Sequence, residues 1–320
     1  MQPSLRNFRA ALIGGWTALA AAGWFYARER HIAVGLATPL ALAFLTEYAF
    51  YLLPGFSAVR TRVSARFSKP QLAWGIAVSS ILPYLIYSLP SHRFEWGACC
   101  VMAILSIAVA FWFVVWPRSI ISDLLFLFLI ASVILSGLLK FVYPDPVPKL
   151  PIEVLGHITL IRSSILAVLL IRGDESIDFG FLPRWRDLRI GTAWFLAFLA
   201  IGFPLARELG QLRLPPRLPN PLQAILIMLG ILWVVALSEE FFFRALLQQW
   251  LSAWSRSTVL GLVAASLLFG ACHLVKGWRF AVLAAVAGLF YGAAFQQTRS
   301  MKTSMVTHAL TVGTWRLFFS

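Results

Sequence analysis

The stretch Ile225–Leu247, ILIMLGILWVVALSEEFFFRALL, runs an uncharged apolar segment straight into two adjacent carboxylates and an arginine. The apolar part reads as a helix at bilayer depth, where each charge costs roughly 2.5–3.5 kcal/mol on insertion scales. Three charges in six residues therefore need either internal pairing or a chemical use. On a helix, Glu240 and Arg244 are four residues apart and share a face, so they can pair. Glu239 is turned by about 100° from Glu240 and stays outside that pair.

The rest of the chain agrees with a membrane setting. Its 320 residues are 60% hydrophobic and only 12% charged, with a mean hydropathy of +0.80. Apolar runs of about 17–24 residues recur, each long enough for a hydrocarbon core of ~30 Å. Eleven such segments can be drawn, at roughly 10–26, 32–54, 71–90, 96–116, 119–139, 151–171, 190–206, 221–253, 257–275, 279–297 and 303–319. The expected fold is an all-α polytopic transmembrane helical bundle of about 10–11 spans. The alternation of a membrane β-barrel is absent. The segment 221–253 is too long for one span, so its Gln248-Gln249-Trp250 end should project beyond the apolar core.

The net charge of +14 does not point to nucleic acid, because most basic residues sit in short loops between apolar runs. With the N-terminus in the cytoplasm, Arg60, Arg62, Arg66 and Lys69 fall on the inner side, as do Arg172, Arg184, Arg186 and Arg189. Arg28, Arg30, Arg207, Arg213 and Arg217 weaken that bias. Arg28-Glu29-Arg30 after the first apolar run favours an uncleaved first helix over a signal peptide. Cys99, Cys100 and Cys272 have no metal-type or disulfide spacing. The polar stretch Arg172–Arg189 suggests a division into an N-terminal multi-span region, 1–189, and a core, 190–320.

Two histidines join the charged helix. His273 closes Phe269-Gly-Ala-Cys-His, and His308 lies in the last apolar segment. Glu239 precedes the turn at Ser255–Ser257 by about 16 residues and His273 follows it by about 17, so an antiparallel pair would hold them at similar depth. His308, after a turn near Thr298–Lys302, reaches a comparable level. A buried carboxylate beside an imidazole suits general-base activation of water. A second imidazole can donate to a developing oxyanion. The same trio, Glu239, His273 and His308, also has the composition of a His2Glu zinc site with one open position.

Glu239-Glu-Phe-Phe-Phe-Arg244 resembles the EExxxR motif of the CPBP family, the CAAX-protease and bacteriocin-processing intramembrane endopeptidases. Phe269-Gly-Ala-Cys-His273 resembles its FxxxH motif. Gly288-Leu-Phe-Tyr-Gly292 and His308-Ala-Leu310 resemble its closing hairpin, and Phe179-Gly-Phe-Leu-Pro-Arg184 its lead-in segment. The resemblance covers roughly 190–320. It implies hydrolysis of a peptide bond in a membrane-associated protein or peptide, within the lipid bilayer. Glu239 and His273 would activate water, Glu240 and Arg244 would support them, and His308 would stabilise the oxyanion. The metal-free form is the favoured one, with zinc the other. Prenylated CAAX proteins and leader peptides are the substrates the family suggests. The expected location is a bacterial inner membrane, with the site near the cytoplasmic face. One departure is Val312, where the family usually has a polar residue, with Thr311 and Thr314 nearby. An inactive membrane scaffold is the alternative that Val312 prompts, and a small-solute transporter is a further one that intramembrane charges allow.

Outside the motifs, Glu47, Asp123, Arg162 and Arg316 lie in or near apolar segments, and Glu153 and His157 have the spacing of a helical pair.

Overall fold

Hydropathy and length are enough to make most of this chain helical, and a computed structural model shows how the helices pack. It describes residues 5–148, 150–174, 177–212 and 220–319; Arg213 and Arg217 lie outside them. Among these residues there are 13 helices and no strand. The first eight are α1 (Leu5–Glu29), α2 (Val34–Gly55), α3 (Ser57–Arg66), α4 (Lys69–Ser88), α5 (Trp96–Val115), α6 (Ile120–Leu135), α7 (Leu138–Val142) and α8 (Glu153–Arg172). The other five are α9 (Trp185–Glu208), α10 (Pro221–Ser255), α11 (Thr258–Cys272), α12 (Trp278–Thr298) and α13 (Met301–Phe318).

Seven of these helices are long and apolar enough to cross a membrane: α1, α2, α5, α8, α9, α10 and α12. Two more, α6 and α11, are apolar but shorter. The chain is an integral, multi-pass, all-α membrane protein. The sixth and seventh helices show why apolar runs overstate helix length. The run 119–139 breaks at Gly137, whose φ of 72° lies in the left-handed region, and the helix restarts at Leu138.

The chain forms two compact units, Met1–Ser176 and Ile177–Ser320. The boundary drawn from sequence, 189/190, lies later. Residues 177–189 pack with the second unit for identifiable reasons. Phe179 meets Phe241 edge-on at 5.7 Å. Lys302 Nζ pairs with Asp178 at 2.7 Å. Asp187 accepts the Thr303 hydroxyl at 2.6 Å. A loop tied down by its own polar groups is invisible to hydropathy.

In the first unit, Leu40, Tyr84, Met102, Tyr143 and Leu155 form the centre of a buried cluster. A charged pair lies beside this apolar interior. Arg162, fully buried, donates to both carboxylate oxygens of Glu47, at 2.9 and 3.1 Å. Its remaining donors reach the Ser79 hydroxyl at 2.8 Å and the Ser79 carbonyl at 3.3 Å. Asp123 is likewise paired, with Arg172 at 2.8 Å. Glu153 and His157 do meet, but through the backbone: the His157 Nδ1–H donates to the Glu153 carbonyl at 3.0 Å.

In the second unit, glycines let helices approach. A Cβ at Gly191 of α9 would lie 2.8 Å from the Thr303 carbonyl oxygen of α13. A Cβ at Gly270 of α11 would lie 2.7 Å from the Ala281 carbonyl of α12. Small residues at such crossings are what lipid-embedded helices use in place of a hydrophobic drive.

Removing one member of the Glu47–Arg162 pair leaves the other charge buried and unpaired. Glu47→Ala should therefore destabilise the first unit by about 3–5 kcal/mol. A Glu47→Leu/Arg162→Met double variant should recover most of that loss. Reversible unfolding in mixed micelles measures both.

Candidate active site

The site is built on α10, a single 35-residue helix. Asn220 caps it by accepting the Gln223 N–H at 2.8 Å, with Pro221 in the first turn. The helix is not uniform. It widens into π turns over Ile231–Ala236 and again over Phe241–Gln248, and Leu237–Glu240 is an α-helical turn between them. π turns are rare and concentrate at functional sites. Here they flank the two carboxylates.

Glu240 is fully buried. Its Oε2 accepts from Arg244 Nε at 3.1 Å, as the spacing on the helix requires. Its Oε1 takes His308 Nδ1 of α13 at 2.7 Å. Arg244 is also fully buried. It donates through Nη1 to Gln248 Oε1 at 3.4 Å, and Gln248 Nε2 donates to the Gly292 carbonyl of α12 at 3.1 Å. The guanidinium lies over the Phe269 ring of α11, 5.5 Å from its centroid. Four helices thus meet around one charged side chain.

This network settles which nitrogen of His308 carries a proton. Glu240, paired with Arg244, is an acceptor, so His308 Nδ1 is the donor. Nε2 is then a lone pair in the neutral ring and a donor only in the imidazolium. It stands 3.7 Å from Glu239 Oε2, beyond direct hydrogen-bond distance. The ring stacks on Tyr291 at 4.5 Å and 14°, and meets the Phe269 edge at 5.9 Å. The Glu239 side chain retains 31% exposure, against 0% for Glu240. The free carboxylate and the tied one, expected from their 100° separation, are both present.

His273 occupies a different position from the one its apolar run suggests. α11 ends at Cys272, and His273 is the residue that stops it, at φ −95° and ψ 3°. A 3-10 turn, Leu274–Lys276, follows, and then Gly277 at φ 98°. His273 Nδ1–H donates back to the Phe269 carbonyl at 2.8 Å, which leaves Nε2 as the lone-pair nitrogen in the neutral ring. The ring packs on Phe269 at 4.7 Å and on Phe280 at 5.6 Å. Its neighbour Cys272 lies within electrostatic reach of Glu239. Glu239, Glu240, Arg244 and His308 are brought together; His273 packs on the Phe269 ring that Arg244 and His308 also contact.

No group of three or more His, Cys, Asp or Glu side chains among the described residues is arranged to hold a metal ion. Glu239, His273 and His308, as placed here, are not a three-ligand set. Of the two threonines near Val312, Thr311 is buried and donates to the Thr307 carbonyl at 2.9 Å. It also faces the Tyr291 hydroxyl.

The motif reading passed over Gln248 and Tyr291 as site residues. Gln248 follows Arg244 at the same four-residue spacing as Arg244 follows Glu240, so the sequence did carry that signal. Tyr291 sits inside the GLFYG segment between the two glycines, where nothing but the stacking marks it.

The fold and these side chains define a class: a polytopic membrane protein with a buried glutamate–arginine–histidine network beside a partly open glutamate. Residues 221–314 match the family model described as type II CAAX prenyl endopeptidase Rce1-like. The match begins at the first residue of α10, ends within α13 and takes in every residue named above from Glu239 to His308. The family resemblance of the motifs holds for this region. No curated protein and no solved structure matches the chain.

A Cβ at Gly292 would lie 2.6 Å from Gln248 Oε1 and 3.3 Å from Arg244 Nη1. Gly292→Ala should therefore cost about 1–3 kcal/mol by overpacking. Gly230→Ala, on the same helix as the carboxylates but with nothing within 4 Å of its Cβ, should be neutral or stabilising. Thermal unfolding in detergent compares the two.

Proposed function

We propose that the second unit is an intramembrane endopeptidase that hydrolyses a peptide bond in a membrane-associated protein or peptide. The observation that carries this is the unequal treatment of two adjacent glutamates. Glu240 is saturated by Arg244 and His308, whereas Glu239 keeps solvent exposure inside an apolar helix bundle. An isolated intramembrane carboxylate is costly, and a use for it is the default reading. The Rce1-like match over the same residues supports protease chemistry of the CAAX type.

In this reading a water molecule lies between Glu239 and His273 Nε2. Glu239 takes one proton as the water oxygen attacks the substrate carbonyl carbon. The carbonyl π electrons move to oxygen, and the tetrahedral oxyanion accepts a hydrogen bond from His308 in its imidazolium form. Glu240 supports that cation, since its carboxylate holds Nδ1–H at 2.7 Å. The C–N bond then breaks, and the proton held by Glu239 passes to the leaving amine. Every role is assigned to a side chain of this chain, and the scheme has no metal step.

The site belongs near the cytoplasmic face in this proposal. His308 is about 10 Å along α13 from its start at Met301, and Arg184, Arg186, Arg189, Arg256, Arg299 and Lys302 cluster at the helix ends on that side. Prenylated CAAX proteins and leader peptides are the substrate classes to test first.

Glu239→Gln and His273→Ala should each lower cleavage about 10²–10⁴-fold while the protein still inserts and melts as wild type. Glu240→Ala should instead lose folded protein, because Arg244 would be left buried without its carboxylate. Cleavage of a membrane-reconstituted peptide library, read beside a thermal melt, separates the two effects. Full activity in both Glu239→Gln and His273→Ala would sink the mechanism and favour a scaffold.

A further inference from the structure

The first unit contains a cavity of about 270 Å³ between α2, α3, α4 and α8. Phe50, Leu72, Ile76 and Leu166 give it an apolar wall, and Arg60 stands in the same lining. Gly75 also lines it, in the middle of α4. No turn or positive φ calls for a glycine there, and a Cβ at that position would meet nothing within 4 Å. Glycine in a helix interior loses stability relative to alanine. What it gains here is open space along the cavity wall.

The α3 side of the cavity is basic. α3 carries Arg60, Arg62 and Arg66, and Lys69 follows. No Asp or Glu occurs from Phe56 to Phe94. Arg66 lies over the ring of Phe67, 5.7 Å from its centroid, and Phe67 is an exposed member of the cavity lining. Arg60 lines the slot while its guanidinium also donates to the Pro54 carbonyl, and Arg66 lies over an aromatic ring of the same lining.

We propose that this cavity binds one acyl chain of an anionic glycerophospholipid, with the phosphate held by Arg60 and Arg66. The chain fills the slot beside Gly75, where apolar surface is otherwise left without packing partners. The phosphate meets guanidinium groups suited to forked hydrogen bonding. Basic residues next to a membrane surface favour anionic over zwitterionic headgroups for the same reason.

Native mass spectrometry of the full chain, released from micelles containing equimolar dioleoylphosphatidylglycerol and dioleoylphosphatidylcholine, tests this. Wild-type protein should retain phosphatidylglycerol over phosphatidylcholine by about 30-fold, the preference two surface guanidiniums supply. Arg60→Gln/Arg66→Gln should fall toward parity while still holding lipid. Arg66→Gln alone, at an exposed position, gives the same direction if the double variant folds poorly. Gly75→Leu should retain neither lipid and should melt at or above the wild-type temperature, because it fills empty space. Parity between the two lipids in wild type overturns the proposal. So does wild-type lipid retention in Gly75→Leu, which would place the lipid elsewhere. Displacement of phosphatidylglycerol by an equal concentration of inorganic phosphate would reduce the site to a headgroup contact and overturn the acyl-chain assignment.

Discussion

The second unit depends on keeping the Glu240 carboxylate charged where there is no water to solvate it. A lone carboxylate in that place would be neutralised or expelled. Arg244 supplies the opposite charge from one turn along the same helix, and His308 supplies a second donor from α13. Arg244 then needs partners of its own and finds Gln248 and the Phe269 face. Gln248 closes the series on the backbone of α12. His308 and the Gly292 carbonyl carry this series from α10 to α13 and α12, while Arg244 Nη2 is buried without a hydrogen-bond partner among the described residues, so electrostatics tie α10 to its neighbours. Interactions of this type polarise one another at low local dielectric, and a half-satisfied network would be worse than none.

Glycine is the steric counterpart of that network. Arg244 and Gln248 are large groups to place between helices. They fit because Gly288 and Gly292 present bare backbone on the facing side of α12. A Cβ at Gly288 would sit 3.4 Å from Arg244 Nη2, and one at Gly292 closer still to Gln248. The segment GLFYG is thus a socket: two glycines admit the polar side chains, and Tyr291 between them stacks on the imidazole that Glu240 holds. The three phenylalanines after Glu240 have a related use, since Phe241 packs on Phe179 and Phe243 on Phe269. The apolar interval inside the EExxxR motif is a packing surface as well as a spacer.

Much of this was legible in the sequence because it is local. Glu240 and Arg244 lie four residues apart, and a helix of any detailed geometry puts them together. The division of labour between Glu239 and Glu240 follows from the 100° step. What could not be read was rotational. Nothing in residues 301–318 says that His308 Nδ1 reaches Glu240 while Nε2 faces Glu239, since that depends on how α13 turns about its axis and on the π turns of α10. The position of His273 was lost for another reason. Hydropathy continues unbroken to Val275, whereas the α-helix stops at Cys272 under the control of a 3-10 turn and Gly277. The boundary near residue 177 was missed because the Asp178 and Asp187 contacts that anchor the lead-in segment are long-range polar pairs.

The two units solve the same electrostatic problem with different consequences. In the first, Arg162 and Glu47 are 115 residues apart and meet bidentately, both carboxylate oxygens taken by one guanidinium. Serine groups absorb further guanidinium donors, and the buried Tyr51 and Tyr143 hydroxyls lie within electrostatic reach of Glu47. That arrangement specifies which helices pack and occupies both oxygens of the carboxylate. In the second, Arg244 takes only one oxygen of Glu240. The other oxygen fixes an imidazole, whose far nitrogen points at a carboxylate that retains exposure. A monodentate pair that leaves an oxygen free to orient a histidine is a poorer structural clamp than a bidentate one. Its value lies in what the histidine can then do, and this is the physical reason the proposed chemistry is assigned to α10 rather than to the equally buried charges of α2 and α8.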